Sequence, residues 1–140
     1  MKPIHITNSV VLFLKEETGL PVYAVYDGFE YPDHNVFVTV ERVESTLEYN
    51  VKRREAVEVS NHYQIGLHTK FYNDREELQE ELSNIFIFKN IPYIIDNEII
   101  REFSCLLTSI TPVSSESLNR ESNRNRVYFD VEIKNIKRSC

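Results

Sequence analysis

Apolar and polar residues alternate between positions 57 and 71. Val57, Val59, Tyr63, Ile65, Leu67 and Phe71 take odd positions; Glu58, Ser60, His62, Gln64, His68 and Lys70 take even ones. A period of two gives a strand with an apolar row on one face and a polar row on the other. The period then lengthens. Asn73 and Asp74 are good N-cap residues, and Asp74 with Glu77 fits a capping box. Leu78, Leu82 and Ile85, widened by Phe86, form a helical stripe, while Glu76, Glu77, Glu80 and Glu81 fill the opposite side. The pattern predicts a half-buried strand that turns through Tyr72–Asn73 into an amphipathic helix lying on a sheet.

The same reasoning places the other elements. Thr7–Thr18 is apolar nearly all round from Val10 to Leu14, which periodicity alone cannot assign. Gly19 at the C′ position and the block at Pro21 decide for a helix, with Thr7, Asn8 or Ser9 as its cap. Pro21–Pro32 reads as an extended connector with room for a short edge strand and a turn at Asp27-Gly28. Val36–Val51 is a strand with both faces apolar at its start, as when a helix covers one side and a neighbouring subunit the other. Its far half, Glu41–Asn50, projects past the core, and Lys52-Arg53-Arg54-Glu55 forms the hairpin tip without an Asn-Gly turn. Asp96-Asn97 turns into a strand from Ile99 to Ile110. A polar loop of about 14 residues, 112–125, is longer than a compact domain normally tolerates without a reason. The last strand places Val127, Phe129, Val131 and Ile133 on one face.

The expectation is one α+β domain over residues 1–140. A mixed or antiparallel sheet of four to five strands carries two packed helices in the order α-β-β-α-β-β. A hairpin projects near residues 50–56.

Composition narrows the function classes. With 140 residues and 41% hydrophobic content the chain can bury one core, and a net charge of −6 argues against a protein that grips nucleic acid by neutralising phosphates. Three glycines leave no phosphate-cradling loop and no nucleophile elbow. Cys105 lies in an apolar run and reads as a buried small residue; Cys140 reads as a free thiol. The pair makes neither a disulfide framework nor a metal site. The start Met1-Lys2-Pro3-Ile4-His5 lacks a signal-peptide core, and no apolar run approaches the ~20 residues of a membrane helix, so a soluble intracellular protein is expected.

Candidate chemistry is sparse. His62 and His68 share a strand face but stand roughly 20 Å apart, and nothing completes a zinc site, so both read as solvent-facing. The acidic pairs Asp96/Glu98 and Asp130/Glu132 could bind a hard cation or move protons, but read first as solvated strand faces. No catalytic triad or dyad can be assembled, so no enzyme and no cofactor are expected. The basic tip Lys52, Arg53, Arg54 and the acidic face Glu76, Glu77, Glu80, Glu81 are complementary and suit head-to-tail contacts between copies. Among the eight tyrosines, Tyr49, Tyr72 and Tyr128 fall at exposed or rim positions where interfaces favour Tyr.

The order of elements carries a resemblance: a short N-terminal helix, the Val-Phe-Val-Thr-Val strand after Tyr31-Pro32, a long hairpin, then Tyr63-Gln64-Ile65-Gly66-Leu67 leading into Asp74-Arg75-Glu76-Glu77-Leu78, and finally Val127-Tyr128-Phe129-Asp130-Val131-Glu132-Ile133. This resembles the tail terminator (tail completion) proteins of long-tailed bacteriophages, as a pattern over nearly the whole chain. The Gly-poor, Asn/Ile/Glu-rich composition fits a phage of a low-GC host. The resemblance implies an α+β subunit in a homo-oligomeric ring, usually of six. Such a ring sits on the last ring of tail tube protein, stops tail polymerisation and joins the tail to the head connector or neck proteins. DNA would pass through the lumen without specific binding, and the protein would act in the virion tail or neck after assembly in the host cytoplasm. It also implies that the hairpin around Lys52–Glu55 and the loop Ser114–Asn125 contact neighbours. Alternatives are another phage neck, head–tail joining or assembly protein, and a small metal-dependent enzyme using the His62/His68 face or the acidic pairs.

Overall fold

The structure, a computed structural model, describes residues 1–49, 56–113 and 125–138. Helix α1 spans Pro3–Thr18 and α2 spans Tyr72–Phe88. The strands are β1 (Val22–Ala24), β2 (Val36–Tyr49), β3 (Ala56–Thr69), β4 (Ile91–Ile95), β5 (Glu98–Phe103), β6 (Leu106–Val113) and β7 (Asn125–Arg138). The main sheet is mixed and five-stranded in the order β1-β2-β3-β7-β6, with β1 parallel to β2 and the other pairs antiparallel. Strands β4 and β5 form a separate two-stranded hairpin.

The α+β class and a mixed sheet with two helices are thus present, but the element order is not α-β-β-α-β-β. The short connector strand joins as β1, and the single strand expected over Ile99–Ile110 is two strands. Residues 98–103 return on β4 through the Asp96–Asn97 turn, whose two positive φ angles of 51° and 65° belong to a tight hairpin turn. Residues 106–113 instead pair with β7. The two ladders lie in different sheets, so the strand breaks at Ser104–Cys105.

Helix α1 starts at Pro3, four residues before Thr7, and Pro is well placed in a first turn. Thr7 and Ser9 do not cap it; their hydroxyls donate to the carbonyls of Pro3 and His5 at 3.0 and 2.7 Å. Gly19 ends it with φ of 70°, and its N–H donates to the Lys15 carbonyl. Helix α2 starts at Tyr72 without a side-chain cap, so the expected capping box does not form; Phe71, assigned to the apolar strand row, is 59% exposed at the N-cap.

Both helices pack on one sheet face. Ile6, Val10, Phe13 and Leu14 of α1 and Leu82, Ile85 and Phe86 of α2 meet Val38, Val40, Tyr63, Ile65, Leu67, Val127, Phe129, Val131 and Ile133, all buried. Phe86 lies 5.7 Å from Phe129, centroid to centroid. The β4–β5 hairpin closes the outer side of α1: the Ile94 N–H donates to Ser9 Oγ at 2.9 Å, and the Lys2 N–H to the Tyr93 hydroxyl at 3.0 Å.

Candidate assembly interface

Unequal strand length makes the dominant surface. Strands β2, β3 and β7 have 14 residues each, against three in β1 and eight in β6. Fourteen residues extend ~46 Å, further than two helices lying side by side can cover. The ladder continues past the core as a three-stranded arm, from Glu44↔His62 to Tyr49↔Val57 on one side and from Asn135↔Val59 to Arg138↔Ala56 on the other. A β-bulge at Val43 marks the departure: the register steps between Arg42 and Glu44. The projection expected for Glu41–Asn50 is therefore present over its described part, with all of 41–49 exposed except half-buried Ser45.

The pleat gives the arm two unlike faces. On the helix side lie Ser45, Leu47 and Tyr49 with their partners Asn61, Val59 and Val57. Leu47 and Tyr49 are 56% and 60% exposed. At the base, Met1, Lys2 and Pro3 overhang Arg42, Ser45, Leu47 and Val59 and enclose a cleft of about 570 Å³. Polar groups anchor the base: the Tyr63 hydroxyl donates to the Pro3 carbonyl at 3.3 Å, and Ser45 Oγ donates to Asn61 Oδ1 at 3.0 Å. Burial pushes the Tyr63 phenol above its ordinary range, partly offset by its hydrogen bond with Thr7 and by the Arg42 charge.

The opposite face carries Glu41, Glu44, Glu48, Glu58, Asp130 and Glu132, which share it by register with His62, Gln64, Ser60 and Lys134. Lys134 lies 3.3 Å from Glu58 and 4.0 Å from Glu132. Among the described side chains of this face, six carboxylates stand against Lys134 and, at the core end, Arg126, which leaves it negative. Asp130 also accepts a hydrogen bond from Ser109 Oγ at 2.5 Å.

The core end of this face is covered, and His68 is there. It is 1% exposed, not solvent-facing. Its ring stacks on Phe37 at 4.5 Å and an interplanar angle of 4°, its Nε2 lies 3.0 Å from Thr39 Oγ1, and Tyr31 and Tyr128 flank it at 5.3 and 6.3 Å. Phe29 leans on Tyr31, Tyr23 stacks on His34, and the Arg126 guanidinium lies 5.7 Å over the Tyr31 ring. The connector between β1 and β2 thus folds back as an aromatic cover. The second face of Val36–Val40 is buried by the chain's own connector rather than by a neighbouring subunit. Gly66 makes this possible: a Cβ there would lie 2.5 Å from Thr39 Oγ1 and 2.8 Å from His68 Nε2. The signal was in the sequence, six rings at positions 23, 26, 29, 31, 34 and 37, but strict alternation in β3 hid it.

The other singled-out residues are dispersed. His62 Nε2 lies 3.3 Å from Thr46 Oγ1 on the acidic face, well away from His68. Among the described residues, no three His, Cys, Asp or Glu side chains gather as a metal site. Asp96 and Glu98 are exposed at the β4–β5 turn. Cys105 is half-buried; its thiol donates to the Phe86 carbonyl at 3.4 Å, and burial pushes its pKa up to about 11, away from the reactive thiolate range. Glu76, Glu77, Glu80 and Glu81 are exposed on α2, with Arg75 beneath them bonded to Glu76 at 3.2 Å and lying 4.6 Å over the ring of Tyr72, itself 56% exposed. At the far end of α2, Ile87 and Phe88 are 56% and 79% exposed. Lys52, Arg53, Arg54 and Glu55, and residues 114–124 of the polar loop, lie outside the described residues; Pro112 and Val113 belong to β6 and Asn125 to β7. Cys140 also lies outside them. Among the described residues no helix is long and apolar enough to cross a membrane. No family model matches the sequence, and no curated protein matches it significantly.

Proposed function

We propose that this chain is a structural virion protein of the tail terminator type. Its copies form a ring on the end of a phage tail tube, stop tail polymerisation and join the tail to the head connector. The observation that supports this reading is the two-faced arm: among the described residues one face is negative, and the other carries the exposed side chains of Leu47 and Tyr49. A ring that directs the negative faces inward gives DNA a wall it passes without sticking, because phosphate and carboxylate repel across the roughly 8 Å over which charge is felt at physiological salt. The face of Leu47 and Tyr49 and the exposed end of α2 then serve contacts between proteins. The work is steric and interfacial, and no bond is made or broken.

The test is tail tube protein polymerised with and without the full chain. The reading expects tubes that stop growing and carry an extra ring at one end in electron micrographs. Tubes that elongate unchanged, with the chain remaining monomeric beside them, would refute it.

A further inference from the structure

The connector between β1 and β2 gathers three aromatic rings around a cleft. We infer that this cleft binds the ammonium group of a lysine side chain on a partner protein. The site does not depend on whether copies of the chain form a ring.

Local sequence builds it. Residues Tyr26–Phe29 make a β-turn closed by the Phe29 N–H, which donates to the Tyr26 carbonyl at 3.0 Å, and Gly28 supplies the positive φ of 80° at the third position. The turn brings the Tyr26 and Phe29 rings to 5.6 Å, centroid to centroid, at an interplanar angle of 78°. Tyr23 of β1 lies 6.2 Å from Phe29 at 50°. Its hydroxyl is held 2.8 Å from His34 Nε2. Among the described residues, Tyr23, Tyr26, Gly28, Phe29, Glu30 and Pro32 line a cleft of about 390 Å³.

The chemistry of this lining selects a cation. Aromatic faces are negative and attract a positive charge within about 6 Å of the ring centroid. The three rings meet at angles, so one group in the cleft stands near all of them. Glu30 adds a carboxylate that is exposed and in no ion pair among the described residues. The described lining holds no Lys, Arg or His to compete. Rings set at 78° and 50° form a corner rather than the parallel slot that a flat guanidinium stacks into, which suits a compact ammonium on its alkyl stem. Tyr26 is 68% exposed, so the cleft is shallow. It takes the end of a side chain, whereas a small-molecule site encloses most of its ligand. Tyrosine is also the residue type that protein interfaces favour.

The test titrates the full chain, with 13C-labelled aromatic rings, with Nα-acetyl-lysine methylamide at constant ionic strength and follows the ring signals by NMR. The inference expects saturable shifts at Tyr23, Tyr26 and Phe29, with a Kd of roughly tens of millimolar, as one cation–aromatic site with an exposed ion pair allows. Tyr26→Ala and Glu30→Gln, both at exposed positions, are each expected to weaken binding about fivefold while the remaining spectrum stays that of the folded chain. Equal binding of the norleucine analogue, which keeps the stem and lacks the charge, would show an apolar cleft with no preference for cations and overturn the inference. Tighter binding of the arginine analogue, or binding of choline without the lysine analogue, would overturn the choice of lysine. An absence of shifts at the three rings up to the solubility limit would remove the site altogether.

Discussion

Gly66→Ala adds one methyl group at the most crowded point of the sheet. The new Cβ would stand 2.5 Å from Thr39 Oγ1, 2.8 Å from His68 Nε2 and 3.3 Å from Tyr128 Cε1. The Thr39 and His68 contacts must open by more than half an ångström to reach ordinary van der Waals distance. His68 cannot swing away, because its ring is stacked on Phe37 at 4.5 Å and is 1% exposed. Thr39 is 5% exposed, and rotating its χ1 puts the methyl where the hydroxyl was. Relief therefore separates the 3.0 Å Thr39–His68 pair. Overpacking costs about 1–3 kcal/mol, and the stretched Thr39–His68 hydrogen bond forfeits about 1 kcal/mol more. The stiffer unfolded chain of an alanine variant returns about 0.4–1 kcal/mol. The net is a loss of ~1–3 kcal/mol, which at about 3–5 °C per kcal/mol for a chain of this size lowers Tm by roughly 3–15 °C. Urea titration followed by circular dichroism reads the loss as a lower midpoint at unchanged slope. Thr39→Ala in the same chain removes one of the two clashing atoms, so the double variant should be more stable than the sum of the singles allows. A Gly66→Ala variant as stable as the natural chain would refute this account of the aromatic cover.

Three other outcomes follow from the same structure. Phe129→Ala, which removes a buried ring packed on Phe86, should cost about 3–5 kcal/mol in denaturant unfolding. With its pKa moved from 9.0 to about 11, Cys105 should hold roughly 100-fold less thiolate near neutral pH than an ordinary thiol. It should then alkylate correspondingly slowly until urea is added. The sign for stability runs the same way: the unfolded chain ionises first, so this thiol weakens folding as pH rises from 9 toward 11 and has no effect below. Reversing the acidic face with Glu44→Lys, Glu48→Lys and Glu58→Lys should raise the chain's affinity for duplex DNA, without sequence preference. In a filter or gel-shift assay that binding should fall steeply with salt.

Much of the fold was legible because simple periods governed it. Val127, Phe129, Val131 and Ile133 lie buried on one face of β7, and Leu82, Ile85 and Phe86 form the packed stripe of α2. Gly19 ended α1 as its backbone freedom requires. Apart from the capping box, the misreadings share a cause: a local pattern was overruled by a distant partner. Asp74 and Glu77 fit a capping box, yet the helix begins earlier, with Phe71 at the N-cap and Arg75 laid over Tyr72. Ile99–Ile110 reads as one strand until β4 and β7 compete for its two halves. His68 sits on a polar row of alternation, yet rings from the connector bury it. The arm's two faces follow from register and could be foreseen only in part, since the third strand of the arm, β7, comes some 60 residues after β3.

The projecting arm is proposed to serve assembly, with its negative face turned to a central channel. Electron microscopy of the full chain, alone at high concentration and on the ends of tail tubes, tests it most directly. Closed rings around an open hole are expected, with Glu44, Glu48 and Glu58 facing that hole. Monomers only, or rings whose channel is lined by other surfaces while the acidic face points outward, would contradict it.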